Sequence, residues 1–109
     1  MKGMTEEQAM KYLQDTLFVV GGKWKLPILR AIHMGNSRFR DIQRGVPPIT
    51  TRVLSKELKH LEENKLIIRT VYHTPLSVEY KISKYTHSLL PVLKAMILWG
   101  KNHRKSVKE

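Results

Sequence analysis

The sequence predicts an α+β fold, mostly α, in the form of a winged helix-turn-helix with a two-stranded wing and dimerisation helices at both ends. Three observations predict it. Between Pro48 and Ile82, PITTRVLSKELKHLEENK has the pattern of a helix and runs directly into LIIRTVYHTPLSVEYKI, two strands around a Pro-containing turn. A helix with a basic face followed at once by a hairpin is the arrangement in which the helix enters a major groove and the hairpin reaches the flanking backbone. The 109 residues hold 20 Lys+Arg against 9 Asp+Glu, a net charge of +11, which suits a polyanionic partner. The last helix-patterned segment is apolar nearly all round, which predicts burial on more than one side.

The elements follow in order. Thr5-Glu6-Glu7-Gln8 fits a capping box with acidic residues suited to a first turn. Met10, Leu13 and Leu17 then share one helical face, and Gly21-Gly22 ends the helix. Trp24 to His33 reads as a second helix with Pro27 in its first turn, where a missing N–H is tolerated. Trp24, Leu26, Ile28, Leu29 and Ile32 supply core. Gly35-Asn36 is a turn, and Ser37 to Gln43 fits one or two helical turns. Gly45 and Pro47-Pro48 lead to a helix with Thr50 as N-cap, Ile49 and Leu54 as a hydrophobic staple, and Val53, Leu54, Leu58 and Leu61 as the buried stripe. Asn64 is the expected left-handed C-cap. Ile68–Tyr72 and Val78–Ile82 are the strands, with a turn over His73–Ser77. Ser83 is expected to cap a long final helix that Pro91 kinks.

The face opposite the apolar stripe of the fourth helix carries Thr51, Arg52, Ser55, Lys56 and Lys59, beside the capping Thr50. Arginine can take guanine O6 and N7 together, and Thr or Ser can bond base edges or phosphate. Arg38, Arg40 and Arg44 come from the preceding short helix and turn, Lys23 from the start of the second helix, and His73 from the wing. These five suit phosphate contacts.

The last helix places Leu89, Leu90, Val92, Leu93, Ala95, Met96, Ile97, Leu98 and Trp99 around its circumference. The domain is expected to cover one side and a second copy the other, with the Met10-Leu13-Leu17 face added to the interface. Leu89, Leu93, Met96 and Trp99 are its candidate contacts on the last helix.

The whole chain, 1–109, is expected to form one domain. It has no cysteine, which excludes disulfides, zinc ribbons and thiol chemistry. The five histidines show no metal-ligand spacing, and no cofactor is expected. No phosphate loop or catalytic triad pattern occurs, so an enzyme is not expected. MKGMTEEQAM lacks the apolar run of a signal peptide. Leu89–Trp99 is too short to span a bilayer and carries Lys94. A cytoplasmic location without membrane attachment is therefore expected.

GGKWKLPILRAI at 21–32, SRFRDIQRGVPPITTRVLSKELKHLEENKLI at 37–67, RTVY at 69–72, VEY at 78–80 and LLPVL at 89–93 stand in an order and spacing that resembles the HxlR-type transcriptional regulators. These are dimeric winged-helix proteins related to the MarR group. The resemblance runs from about Leu17 to His103. It implies a recognition helix over Thr50–Asn64, a wing over Tyr72–Val78, and dimer helices at both ends. Three departures stand out. Lys11 and Tyr12 occupy the place of a Cys-Pro pair through which several members sense oxidants. Pro75-Leu76-Ser77 replaces a frequent Pro-Pro-Arg. Lys65 replaces a common glycine, with Asn64 as the expected substitute.

The expected function is sequence-specific binding of double-stranded DNA by a homodimer at a pseudo-palindromic operator. The wing would reach the flanking backbone or minor groove. Control is expected through a small-molecule effector that prefers one dimer geometry, or through protein concentration alone; a small ligand would lodge at the junction of Trp24 with the first and last helices, where apolar faces converge. Two other classes compete: an architectural or RNA-binding module without operator specificity, and a winged-helix domain that contacts protein.

Overall fold

The computed structural model describes residues 2–108. The elements are α1 (Glu6–Val20), α2 (Lys25–His33), α3 (Phe39–Gly45), α4 (Thr51–Glu63), β1 (Ile67–His73), β2 (Leu76–Ile82), a 3-10 helix (Lys84–Leu89) and α5 (Leu90–Lys108). The strands form one antiparallel hairpin with Ile67 opposite Ile82 and His73 opposite Leu76.

The core lies among α2, α3, α4 and the base of the hairpin. Ile28, Ile42, Leu54, Leu58, Leu61 and Leu66 are buried completely or nearly so. Leu54, Leu58 and Leu61 repeat at spacings of four and three, so one stripe of α4 faces inward and its other side is left to solvent. Trp24 stands just before α2 as its N-cap and packs, half-buried, against this core.

The predicted caps form at both the first and the fourth helix. The Thr5 hydroxyl accepts from the Gln8 amide while the Gln8 side chain accepts from the Thr5 amide. At α4 the Thr50 hydroxyl accepts from the Val53 amide at 3.2 Å. Gly21 ends α1, its amide donating to the Leu17 carbonyl at 2.7 Å. A Cβ on Gly21 would run into that same carbonyl oxygen. Gly22 follows with φ +87, a conformation that glycine adopts without a steric penalty.

Four expectations about local structure change. The left-handed residue after α4 is Lys65, with φ 65, while Asn64 has φ −87. The reason is the hydrogen-bond pattern: the Lys65 amide donates to the Glu62 carbonyl and the Leu66 amide to the Leu61 carbonyl, each at 2.9 Å. That is a Schellman end, and it puts positive φ one residue beyond the cap. Buried Leu61 and Leu66 supply its apolar contact. Asn64 instead donates its side-chain amide to the His60 carbonyl.

The hairpin turn is tighter than the expected His73–Ser77. Only Thr74 and cis Pro75 lie between the strands, because the ladder continues to the His73–Leu76 pair. The third short helix covers Phe39–Gly45 rather than Ser37–Gln43, since Ser37 is held against β2: its carbonyl accepts from the Tyr80 amide at 2.8 Å.

The chain after the hairpin also differs. Ser83 caps the 3-10 helix, not a long α-helix, by accepting from the Thr86 amide. The Thr86 hydroxyl donates to the Leu66 carbonyl and the Ser83 hydroxyl to the Lys65 carbonyl. This tight clamp onto the end of α4 favours the narrower helix. Pro91 then falls in the first turn of α5, where it breaks no hydrogen bond. Within the protomer no residue of α5 is buried, so the domain does not cover one full side of it. Only Leu89, at the junction, packs against the core.

Candidate nucleic-acid interface

Two contacts bring α3 and α4 into fixed relation. Gln43 of α3 donates to the Ile49 carbonyl and to the Thr51 hydroxyl, at 3.3 and 3.2 Å. Gln43 thus braces the first residue of α4 across the turn that contains cis Pro47-Pro48. Lys25 of α2 pairs with Glu57 of α4 at 3.1 Å, the two side chains only 13% and 16% exposed. This pair fixes the middle of α4 against the start of α2.

The face of α4 that remains open carries Arg52, Ser55, Lys56 and Lys59, all exposed, at spacings of three, four and seven from Arg52. Thr50 and Thr51 lie at its start. Each already accepts one hydrogen bond within the protein, from Val53 and Gln43 respectively. Their hydroxyl protons are still free to donate. The last turn is different, since Glu62 and Glu63 are exposed there. Cationic side chains and the positive end of the helix dipole therefore coincide at the N-terminal part of α4, and a phosphate chain is repelled from its C-terminal end.

Arg40, Gln43 and Arg44 line a shallow depression of about 260 Å³ on α3. Gln43 links it to the start of α4, so Arg40 and Arg44 flank the helix N-terminus. Arg44 pairs with Asp41 on its own helix. Arg38 pairs with Glu79 of β2 at 3.5 Å and joins the helix-turn-helix to the wing. Both pairs are exposed enough to exchange a carboxylate for a phosphate at little cost.

Lys23 and His73 stand apart from this group. Lys23 lies in the α1–α2 connection with its ammonium over the Trp24 ring, 4.7 Å from the centroid. His73 ends β1 at the wing tip, beside Thr74, Pro75 and Leu76, all exposed. From Thr70 to Tyr80 the hairpin has no Lys or Arg, so any wing contact with a duplex rests on His73 and neutral groups.

Gln43, the Lys25–Glu57 pair and Glu79 were missed in the sequence. Glu57 carried a signal, as an acid set within the basic run SKELK. Gln43 carried none, because its partners are reached through a turn whose geometry the sequence does not encode locally.

A larger open cleft of about 620 Å³ lies between the end of α1 and α4, with Leu17, Phe18, Gly22, Lys56, Lys59 and His60 on its walls. The Phe18 ring meets His60 edge-on at 4.8 Å. This differs from the expected effector position: neither Trp24 nor α5 lines the cleft, because α5 projects away from the body. Among the described residues no group of three or more His, Asp or Glu could hold a metal. Among the described residues no helix is long and apolar enough to cross a membrane.

Comparison with known proteins agrees with this geometry. The HTH-type transcriptional regulator YtcD of Bacillus subtilis is 40% identical over 92 residues, which cover 84% of this chain and 73% of the relative. An HTH-type transcriptional regulator of Methanothermobacter thermautotrophicus is 42% identical over 99 residues, covering 90% and 76%. The solved structure of the redox regulator HypR in its reduced form superposes with a TM-score of 0.76 at 35% identity, covering 89% of this chain and 97% of that one. The family of HxlR-like helix-turn-helix proteins matches residues 19–108. The chain belongs to that family, and is a helix-turn-helix transcriptional regulator rather than an enzyme.

Proposed function

We propose that this regulator binds a pseudo-palindromic DNA operator as a homodimer, with α4 in the major groove and the wing against the flanking backbone or minor groove. The observation that carries the reading is the open face of α4. Arg52, Ser55, Lys56 and Lys59 point away from the core, and Gln43 and the Thr50 cap set the helix N-terminus. Arg52 lies in the first turn, where recognition-helix side chains meet base edges. Arg40 and Arg44 suit phosphates on the same side, and Arg38, Lys23 and His73 are assigned the outer backbone.

The dimer is supported by what the protomer leaves uncovered. Met96, Ile97, Leu98 and Trp99 are 44–70% exposed on α5, and Met10, Leu13 and Leu17 are 53–55% exposed on α1. Exposed apolar faces of this kind mark an interaction site. A two-fold dimer would present two α4 helices to half-sites about 34 Å apart, or a multiple of that. The cleft between α1 and α4 would let a small effector couple the dimer helix to the recognition helix.

The test is selection of bound fragments from random duplexes. Recovery of an inverted repeat with that spacing is the expected result. Equal recovery of all sequences with strong salt dependence would replace this reading with a non-specific architectural one.

A further inference from the structure

The two helices assigned to the dimer carry opposite charge at the ends that the apolar contacts leave over. From Tyr80 to Lys108 the sequence has no Asp or Glu, but Lys101, Arg104, Lys105 and Lys108 crowd the end of α5. α1 opens instead with Glu6 and Glu7. All of these side chains are exposed, and no salt bridge among the described residues involves either helix. α5 packs on the 3-10 helix before it and projects from the body.

We propose that the basic end of α5 seats against the acidic first turn of α1 from a second copy of this chain, with the helices antiparallel and Arg104 facing Glu6. The proposal rests on the homodimer reading. The spacing supports the register. Glu6 precedes Leu17 by eleven residues, and Arg104 follows Leu93 by eleven. Eleven residues is about three helical turns and about 16 Å. Glu6 therefore lies on the Leu17 face of α1, and Arg104 on the Leu93 face of α5. Antiparallel alignment that sets Leu17 against Leu93 brings Leu13 opposite Ile97, Met10 opposite Gly100, and Glu6 opposite Arg104. Gly100 leaves room for the Met10 side chain. A parallel alignment with Leu17 against Leu93 would instead run Glu6 past the start of α5, to the level of Ile82, and leave it no basic partner on that helix. Two-fold symmetry repeats the contact, so each dimer holds it twice.

Acids at the start of α1 and bases at the end of α5 also complement the dipoles of their own helices. That effect acts within one chain and has no influence on the choice of partner. The deciding experiment is therefore subunit mixing of full-length Glu6→Lys and Arg104→Glu proteins, read by native mass spectrometry. Each variant alone should dimerise about three- to tenfold more weakly than the parent, since like charges meet twice. Mixed, they should form heterodimer well above the statistical half, because both contacts then pair opposite charges. Glu6→Lys and Arg104→Glu combined in one chain should restore the homodimer, which also guards against a folding defect in either single variant. A control mixture of Glu62→Lys with Arg104→Glu should show no such preference. Statistical mixing of the first pair, with a dimeric parent, would overturn the proposal and leave the dimer reading standing. A parent protein that is monomeric at micromolar concentration would overturn both.

Discussion

At the scale of single residues, the proposed interface assigns base reading to the α4 face and phosphate anchoring to the arginines of α3. Arg44 is 77% exposed and linked to Asp41 on α3, which suits it to phosphate rather than to a base edge. Arg44→Ala should weaken binding to all duplexes alike and lower the salt slope by about one. Titrations of specific and random duplexes over a range of salt would check this, and a loss confined to the specific duplex would contradict it. Glu57 has a different role. It shields a largely buried lysine, so Glu57→Gln leaves the Lys25 charge underpaired and should cost about 1–2 kcal/mol of stability in urea unfolding. An unchanged unfolding midpoint would contradict this role. The absence of cysteine also has a consequence. Neither diamide nor mild peroxide can form a disulfide or sulfenate in this chain. DNA affinity should stay constant on diamide treatment, and a tenfold loss reversed by dithiothreitol would contradict this.

At the scale of elements, most of the helices and the hairpin were legible, because each had both a period and a boundary residue. Thr5 and Thr50 announced their helices, and the capping hydrogen bonds form at both. The misreadings fall where tertiary contacts choose between local options. Asn64 has the better local preference for left-handed backbone, yet the Leu61–Leu66 contact moves that conformation to Lys65. A lysine at φ 65 bears a Cβ penalty that glycine lacks. Lys65→Gly should therefore stabilise the protein by about 0.5–1 kcal/mol in chemical denaturation, and a destabilised variant would count against the Schellman assignment. The 3-10 helix was hidden for a similar reason. Its width depends on Ser83 and Thr86 reaching the Lys65 and Leu66 carbonyls, a contact between segments 18 to 20 residues apart. The cationic face of α4 was legible from helical spacing, and the flanking cations from their places beside it in the chain. The ion pairs that tie Arg38 and Arg44 down in the free protein were not, since Glu79 is reached only through folding and Asp41 competes with solvent.

At the scale of the whole molecule, the proposed dimer would cover what the protomer leaves open. Its helix-turn-helix has a closed core, while α1 and α5 present apolar faces to solvent. Near-complete apolar coverage of a helix was legible in the sequence, but the sequence could not say that the body buries no residue of α5. Leu93 is half-buried at the point where α5 leaves the 3-10 helix. A carboxylate there would lie within the proposed dimer face, and Leu93→Glu should cost several kcal/mol of association. Sedimentation should find monomer or aggregate without operator binding. A dimeric Leu93→Glu protein of normal affinity would remove α5 from the interface.

The central claim is that two symmetry-related α4 helices read DNA bases, and Arg52 tests it most directly. Selection from random duplexes can be run in parallel with the parent protein and with Arg52→Ala. The parent should yield an inverted repeat. Arg52→Ala should yield the same repeat with preference lost at one position in each half, the two mirror-related, at a cost of about 1–3 kcal/mol on the parent site. Unchanged preference at every position, or an equal loss on specific and random DNA, would contradict the account.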